Sequence, residues 1–249
     1  MKKNLLKVSA LTLALALPCF SAWADKYEIY PVPRSITMSN GTLALTQKVN
    51  VQCESTIDKI TRNRLASLLQ AHGMEAVFGG SEEGAISLRL GTVGSGEEVE
   101  TWAFGELGLA KAKIMVSKKF DRHAISVSDK GITILGEHTN AVFCGLASLE
   151  QMLEQQVEGA LEHTTIYDRA DQQNRGLVEG YYGYPYSVEV KKELMRYMMR
   201  YKMNTYMFGA KSDPYHSQMW KDAYPTTISA EQEKNGWLTQ DMLRDLAQV

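Results

Sequence analysis

The chain has 249 residues, of which 44 % are hydrophobic and 22 % charged, and it contains 19 glycines and 6 prolines. This composition is typical of a folded globular protein and excludes a disordered, collagenous or coiled-coil chain. The formal net charge of −2 at pH 7 leaves no basic excess that could follow a phosphate backbone. We therefore expect no nucleic-acid partner.

The first 24 residues have the pattern of a secretory signal peptide. Lys2, Lys3 and Lys7 precede an apolar run. The run covers residues 8–20, and a small-x-small cleavage pattern ends at Ala24. It is shorter than the ~20 residues that a membrane-spanning helix needs. We expect cleavage after Ala24 and a secreted or periplasmic bacterial protein without a stable membrane span.

Two other interpretations of this leader stay open. One is an uncleaved membrane anchor. The other is a lipoprotein modified at Cys19, although Pro18 directly before the cysteine fits lipoprotein processing poorly. Cys53 and Cys144 are then the cysteines of the mature chain, and a single pair so far apart predicts neither a disulfide framework nor a metal site. Cys144 lies on the apolar face of a predicted helix, which favours a buried small side chain.

Residues 25–170 predict a small α+β domain in which strands, hairpins and helices are mixed. Alternating apolar residues predict a hairpin with a type I′ turn at Asn40-Gly41, a strand at 86–90 and a second hairpin about 129–131. Helices are predicted at 56–72, stopped by Gly73, and from Thr139 or Asn140 onward. Their buried stripes are Ile57, Ile60, Leu65, Leu68 and Leu69 in the first helix, and Val142, Leu146, Leu149 and Leu153 in the second.

The glycine-rich stretches in this region are interpreted as turns. They comprise Gly79-Gly80 and the set Gly91, Gly94 and Gly96. Their spacing matches neither the G-x-G-x-x-G nor the P-loop pattern, and two glutamates follow the second set. We therefore expect no phosphate-binding loop.

From about residue 171 the pattern changes to strand, helix, strand, loop and helix, which is typical of the start of a parallel α/β domain. A strand is predicted at 175–182 and another at 204–209. Ser187 is predicted to cap the helix between them, with Val190, Leu194, Met198 and Tyr201 buried. A last helix begins near Thr239, with Met242, Leu243 and Leu246 directed inward. Because a (β/α)₈ barrel takes roughly 250 residues, we expect 171–249 to be an incomplete barrel and the chain to be truncated.

Two long motifs in this second region carry a family resemblance. The run RGLVEGYYGYPYS at 175–187 is similar to the R-G-x-x-E-G-F-Y-G-x-P-W-S motif of glycoside hydrolase family 84. The run YKMNTY at 201–206, followed by KSDPYH at 211–216, resembles the second-strand motif of that family. The first half, from Tyr30 to Leu146, resembles the non-catalytic domain that this family shares with the family 20 hexosaminidases. The resemblance covers nearly the whole mature chain.

The resemblance implies a β-N-acetylglucosaminidase of the O-GlcNAcase type that acts on N-acetylglucosamine-containing glycans or glycoproteins. It implies that Gly180, through its main chain, and Lys211, through its side chain, bind hydroxyls of the sugar. Tyr181, Tyr182 and Tyr215 could stack on the pyranose. It implies no metal and no organic cofactor, because the chemistry needs carboxylates and the substrate's own amide. The oligomeric state stays open.

The residues beside these motifs also admit other interpretations. Glu179 is interpreted as a buried structural acid near Arg175 and not as a catalytic carboxylate. His216 is interpreted as an anchor of its loop. Gly180 alone could be a strand irregularity, and Lys211 alone a surface charge.

The resemblance also implies what this sequence lacks. The family uses two neighbouring aspartates, one that orients the 2-acetamido group of the substrate and one that acts as general acid and base. The sequence contains no Asp-Asp, so no catalytic residue is assigned and the chain by itself is expected to be inactive. A non-catalytic sugar-binding or interaction fragment and a family 20 hexosaminidase are the alternatives. The Glu179-Gly180-Tyr181 run speaks against the second alternative, because family 20 has an R-G-x-x-L-D pattern there.

Overall fold

The computed structural model describes residues 27–180, 186–208, 222 and 240–249. The predicted signal peptide lies outside these residues. The first unit is a seven-stranded sheet of order β1-β7-β5-β6-β4-β2-β3. Its strands are β1 (Ser35–Ala44), β2 (Lys48–Cys53), β3 (Glu75–Phe78), β4 (Ile86–Thr92), β5 (Phe120–Ser128), β6 (Gly131–Gly136) and β7 (Ala160–Ala170). The helices of this unit are α1 (Lys59–Ala71), α2 (Glu98–Gly105), α3 (Lys111–Ile114) and α4 (Thr139–Glu154).

The sheet is mixed and is covered by helices on both faces. Strands β3, β2, β4 and β6 run parallel to one another, whereas β5, β7 and β1 pair antiparallel. The larger core packs α1 and α4 on one face, and the smaller core packs α2 and α3 on the other. Alternation along β5 explains both cores, because Ile125 belongs to the first and Ala124 to the second. The predicted α+β domain is confirmed.

Helix α4 has the predicted buried stripe. Val142, Leu146 and Leu149 are fully buried against the sheet. The predicted cap is wrong by one residue, because His138 caps the helix and its Nδ1 accepts from the amide of Ala141 at 3.2 Å. The second predicted hairpin is confirmed, since β5 and β6 pair antiparallel up to Gly131, whose φ is +101°.

The hairpin predicted at Asn40-Gly41 is wrong. Residues 35–44 form one strand, and both halves of it pair with β7. The register shifts between Met38 and Thr42, so the Asn-Gly pair forms an irregularity within β1 and not a turn. The physical reason is β7, which at 11 residues is long enough to pair with both halves. Gly41 has φ +116°, and a Cβ there would lie 2.5 Å from the His163 ring.

The first predicted helix begins later than expected. Asp58 caps α1 by accepting from the amide of Thr61 at 2.7 Å, and Gly73 follows the helix at φ +74°. Leu65, Leu68 and Leu69 are buried as predicted. Ile60 is 71 % exposed and Thr61 is buried in its place. The reason is that the helix starts at residue 59 and its buried face runs through Thr61, Leu65 and Leu68.

The second unit is a strand–helix–strand that packs on the first. It consists of β8 (Gly176–Val178), α5 (Val188–Arg200) and β9 (Thr205–Met207), and a helix α6 (Gln240–Leu246) packs on α5. The two strands are parallel, in the register Gly176–Thr205 to Val178–Met207. Helix α5 contacts α4 of the first unit. Among the described residues, no helix is long and apolar enough to cross a membrane.

The buried face of α5 differs from the prediction by one position. Ser187 caps the helix as predicted, with its Oγ accepting from the amide of Val190 at 3.3 Å. Val190 is 42 % exposed, and Lys191 is 1 % exposed. Met198 is buried as predicted. The hydrophobic pattern alone places Val190 inside. In the structure Lys191 lies inside instead, because it has a buried partner, described below. In α6, Leu246 is buried as predicted.

Candidate functional site

Gly180 lies just after β8, at the carboxyl end of the two parallel strands. The amide of Glu179 donates to the carbonyl oxygen of Met207 at 2.8 Å and extends the pairing by one residue. Gly180 is exposed, and a Cβ built on it would meet no atom of the described residues within 4 Å. The main chain at Gly180 is therefore open to a ligand, at the edge where α/β folds place their sites.

Gly176, at the start of the same strand, is closely packed. A Cβ there would lie 1.5 Å from the carbonyl oxygen of Thr205. Glycine is needed at Gly176 by the approach of β9, whereas none of the described residues requires glycine at Gly180. This contrast supports a ligand as the reason for glycine at 180.

Lys211 lies outside the described residues, as do Tyr181, Tyr182, Tyr215 and His216. Strand β9 ends at Met207, four residues before Lys211. Because β8 and β9 are parallel and in register, Gly180 and the residues after β9 leave the sheet at the same end. The joint position of Gly180 and Lys211 in one site stays a prediction.

Glu179 is a buried acid, as predicted, but its partner is Lys191 and not Arg175. The Lys191 Nζ donates to Glu179 Oε1 at 3.0 Å, and the side chains are 1 % and 4 % exposed. The amide of Tyr186 donates to the same Oε1 at 3.0 Å. The sequence analysis did not identify Lys191 as a buried residue. The sign that could have shown it is its position next to Val190, at the edge of the apolar stripe of α5.

Arg175 instead joins the second unit to the first. Its Nη2 donates to Asp121 Oδ2 at 2.5 Å and its Nε to the carbonyl oxygen of Lys202 at 3.0 Å. The Nζ of Lys202 in turn lies 2.7 Å from Asp168 Oδ2, with both side chains 7 % exposed. These contacts link the residues before β8 and β9 to β5 and β7. They fix the orientation of both strands that lead to the candidate site.

His123 lies between Asp121 and Asp168, the two acids of the first unit that form these contacts. Its Nδ1 donates to the carbonyl oxygen of Asp121 at 2.7 Å, which leaves Nε2 4.0 Å from Asp168 Oδ2. Nε2 is buried without a hydrogen-bond partner in the described part of the chain. Burial lowers the pKa of His123 despite the nearby Asp168 carboxylate. Burial works to raise the pKa of Asp168, but the Lys202 ammonium and His123 hold it below its usual range.

The glycine-rich segment after β4 binds a carboxylate of the protein itself. Glu100 Oε1 accepts from the amide of Gly94 at 2.6 Å, and its Oε2 accepts from the amide of Gly96 at 2.8 Å. The positive φ of both glycines supports their prediction as turn residues. Gly91 is no turn, because it lies within β4 and a Cβ there would be 2.8 Å from the Glu54 carboxylate.

Cys53 and Cys144 are free thiols, and Cys144 is buried as predicted. Burial raises the pKa of Cys53 to about 11 and that of Cys144 to about 12. Thiols of this kind are poor nucleophiles at neutral pH. They do not contribute to the candidate site.

Two family models match consecutive parts of the chain. The model for glycosyl hydrolase family 20, domain 2, matches residues 26–169. The model for beta-N-acetylglucosaminidase matches residues 175–234, which include Gly180 and Lys211. The boundary between the matches coincides with the joint between the seven-stranded sheet and β8.

Curated proteins and solved structures are also similar to this chain. The Protein O-GlcNAcases of Rattus norvegicus and Mus musculus are each 38 % identical over 66 residues, which are 23 % of this chain and 7 % of theirs. The solved structure of CpGH84D has a TM-score of 0.73 at 29 % identity, over 90 % of this chain and 35 % of that one. CpGH84B has a TM-score of 0.66 at 22 % identity, over 89 % and 34 %, which shows the fold.

The chain spans about a third of the length of these solved proteins. Its order of a family 20 domain 2 followed by a beta-N-acetylglucosaminidase segment is also the order that the sequence motifs predict. The chain thus carries a glycosyl hydrolase family 20 domain 2 at residues 26–169, followed by a segment of the beta-N-acetylglucosaminidase family, which is the arrangement of a family 84-type protein.

Proposed function

We propose that this chain is the N-terminal part of a secreted glycoside hydrolase that removes terminal β-linked N-acetylglucosamine from glycoconjugates. The observation that carries the proposal is the open main chain of Gly180 at the carboxyl end of β8, within a segment that matches beta-N-acetylglucosaminidases. In this proposal Gly180 and Lys211 hold sugar hydroxyls. Lysine suits this role because its ammonium has three donors on a flexible stem.

The contacts of Arg175 with Asp121 and of Lys202 with Asp168, between the two units, support a proposed domain organisation. Residues 1–24 form a signal peptide, 25–170 a non-catalytic domain and 171–249 the first units of a (β/α)₈ barrel. The β8–α5–β9 unit has the parallel strands with an intervening helix that such a barrel repeats. The ion pairs of Arg175 and Lys202 then fix the first two barrel strands on the first domain.

The proposed reaction is substrate-assisted and retaining. The 2-acetamido oxygen of the substrate attacks the anomeric carbon and forms an oxazoline, an exception to the two-carboxylate scheme of most glycosidases. One aspartate of a neighbouring pair would orient the acetamide, and the other would protonate the leaving oxygen and later activate water. Because the sequence has no Asp-Asp, we propose that this chain alone binds the sugar without hydrolysing it.

A titration with N-acetylglucosamine tests the binding part of the proposal. We expect saturable changes in the amide NMR signal of Gly180, weakened by Lys211→Ala and unchanged by Lys192→Ala, which removes a partly exposed lysine of α5 paired with Asp245. Glucose, which lacks the acetamido group, is the ligand control. No change at Gly180 with N-acetylglucosamine would contradict the proposed site.

Two further measurements test the catalytic part. The chain should release no 4-nitrophenol from 4-nitrophenyl N-acetyl-β-glucosaminide, and clear turnover would overturn the proposed inactivity. The coding DNA beyond the Val249 codon should continue into strand–helix units with an Asp-Asp pair. A chain joined to that continuation should hydrolyse the same substrate. Absence of such a continuation in all three frames would favour a non-catalytic sugar-binding fragment.

A further inference from the structure

A closed set of hydrogen bonds joins the two sides of the segment that begins at Gly180. The Lys191 Nζ donates to Glu179 Oε1 and also to the carbonyl oxygen of Tyr186. The amide of Tyr186 donates back to Glu179 Oε1. Both charged side chains are almost fully buried. The residue before Gly180, the residue before the Ser187 cap and the first turn of α5 are thus bound to one another.

A buried ion pair of this kind is not explained by stability alone. Removing a carboxylate and an ammonium from water costs as much as or more than their attraction returns, so apolar residues of similar size would hold α5 on β8 equally well. What an ion pair adds is direction, since its hydrogen bonds fix atoms at set distances and angles. Here the fixed atoms belong to the main chain at Glu179 and Tyr186.

These contacts restrain the main chain next to Gly180. Glycine has the greatest backbone freedom of all residues, and among the described residues no atom lies within 4 Å of where a Cβ of Gly180 would be. Glu179 is held by β9 through its amide and by Lys191 through its carboxylate. We propose that Glu179 and Lys191 are positioning residues that set the main chain of Gly180 for the sugar; this rests on the proposed function of Gly180.

Three variants of the chain test the proposal. Lys191→Met removes the ammonium and keeps the stem. The double variant Glu179→Gln/Lys191→Met removes both charges and avoids a buried unpaired carboxylate, so it should be more stable than the single variant and keeps the test valid if the single variant fails to fold. Lys192→Met is the matched control, because it removes the neighbouring lysine, whose partner Asp245 is exposed.

The readouts are the Gly180 amide signal without ligand, the affinity for N-acetylglucosamine and the thermal unfolding curve. We expect both Lys191 variants to shift the Gly180 signal and to weaken binding by roughly tenfold or more, with Lys192→Met unchanged. A folded double variant with the wild-type Gly180 signal and affinity would overturn the proposal. If the wild-type chain does not bind the sugar, the proposed function fails, and the Gly180 signal without ligand still decides the positioning.

Hydrogen exchange of the unmodified chain gives a test that no folding defect can obscure. The Tyr186 amide should exchange as slowly as that of Glu179, since the first donates to Glu179 Oε1 and the second to the carbonyl oxygen of Met207. Exchange of the Tyr186 amide at the rate of a free loop would show that the pair does not hold the segment, and would overturn the proposal.

Discussion

Lys202 and Asp168 form a buried ion pair, with Nζ and Oδ2 2.7 Å apart, that joins the turn between α5 and β9 to strand β7. Lys202 has φ +58°, a left-handed conformation that a non-glycine residue adopts at a cost. The pair thus holds the turn between α5 and β9 in a conformation that the local sequence does not favour.

Breaking this pair should destabilise the whole chain. We expect Lys202→Met to lower the free energy of unfolding by about 3 kcal/mol or more, because Asp168 is left as a buried unpaired carboxylate. Urea unfolding followed by circular dichroism measures the change. Lys48→Met, which breaks an exposed pair with Glu82, should cost less than about 1 kcal/mol. Equal effects of the two variants would contradict the prediction.

His123 should make the protein less stable in mild acid. Its pKa is lowered in the folded state by burial, so below about pH 6.5 the unfolded chain binds a proton that the folded chain does not. Stability is therefore lost as the pH falls from about 6.5, with a slope of up to about 1.4 kcal/mol per pH unit from this group.

The variant His123→Asn isolates this contribution, because the amide can still donate to the carbonyl oxygen of Asp121 and does not titrate. The stability difference between wild type and variant, measured by urea unfolding from pH 7.5 to pH 5, should change in favour of the variant as the pH falls. A difference that is constant with pH would show that His123 does not titrate in this way.

Asp168 acts in a lower pH range and with the same sign. Its folded pKa is held below the usual value, chiefly by Lys202 against the effect of burial. The stabilisation it provides is therefore complete above its unfolded pKa of about 3.9 and is lost as the pH falls through the folded pKa. Asp168→Asn should flatten the unfolding profile below about pH 4. A profile as steep as that of wild type would contradict this assignment.

Alanine at Gly180 and at Gly176 should give opposite results. Gly180→Ala should leave the melting temperature close to wild type, because its Cβ would meet no atom within 4 Å in the part of the chain that the structure describes, and should weaken N-acetylglucosamine binding at the proposed site. Gly176→Ala places a Cβ 1.5 Å from the Thr205 carbonyl oxygen and should unfold or severely destabilise the β8–β9 pair. Thermal unfolding and an NMR titration measure both effects. Unchanged sugar binding in Gly180→Ala would contradict a main-chain role for this residue.

The two thiols should react slowly in the folded protein. Burial raises the pKa of Cys53 to about 11 and that of Cys144 to about 12, so little thiolate is present at pH 8. In a chain that starts at Asp25, 5,5′-dithiobis(2-nitrobenzoate) should label Cys53 slowly, Cys144 more slowly still, and both rapidly in guanidinium. Cys53→Ala and Cys144→Ala assign the two phases, and rapid labelling of native Cys144 would contradict its burial.

Local pattern was a good guide where a segment has one apolar stripe and clear end signals. Helix α4, the β5–β6 hairpin and the Ser187 cap fall within one or two residues of their predictions. The local pattern gave wrong predictions where contacts between distant residues decide the structure. Asn40-Gly41 is a strong turn signal, yet β7 extends past it and pairs with both sides. Similarly, the apolar Val190 lies outside and Lys191 inside, because Glu179 on β8 provides a partner for the lysine.

The sequence by itself determined the family motifs, the composition of a globular protein, the strand–helix–strand order after residue 175, and the position of Gly180 at a strand end. These follow from short-range spacing. The tertiary structure alone decided which charges pair: Lys191 with Glu179 and Lys202 with Asp168, both buried, and Arg175 with Asp121, partly buried. The physical reason is that a buried charge is tolerated only beside a partner, and partners that are 12 to 54 residues apart become neighbours only when the sheet and helices pack.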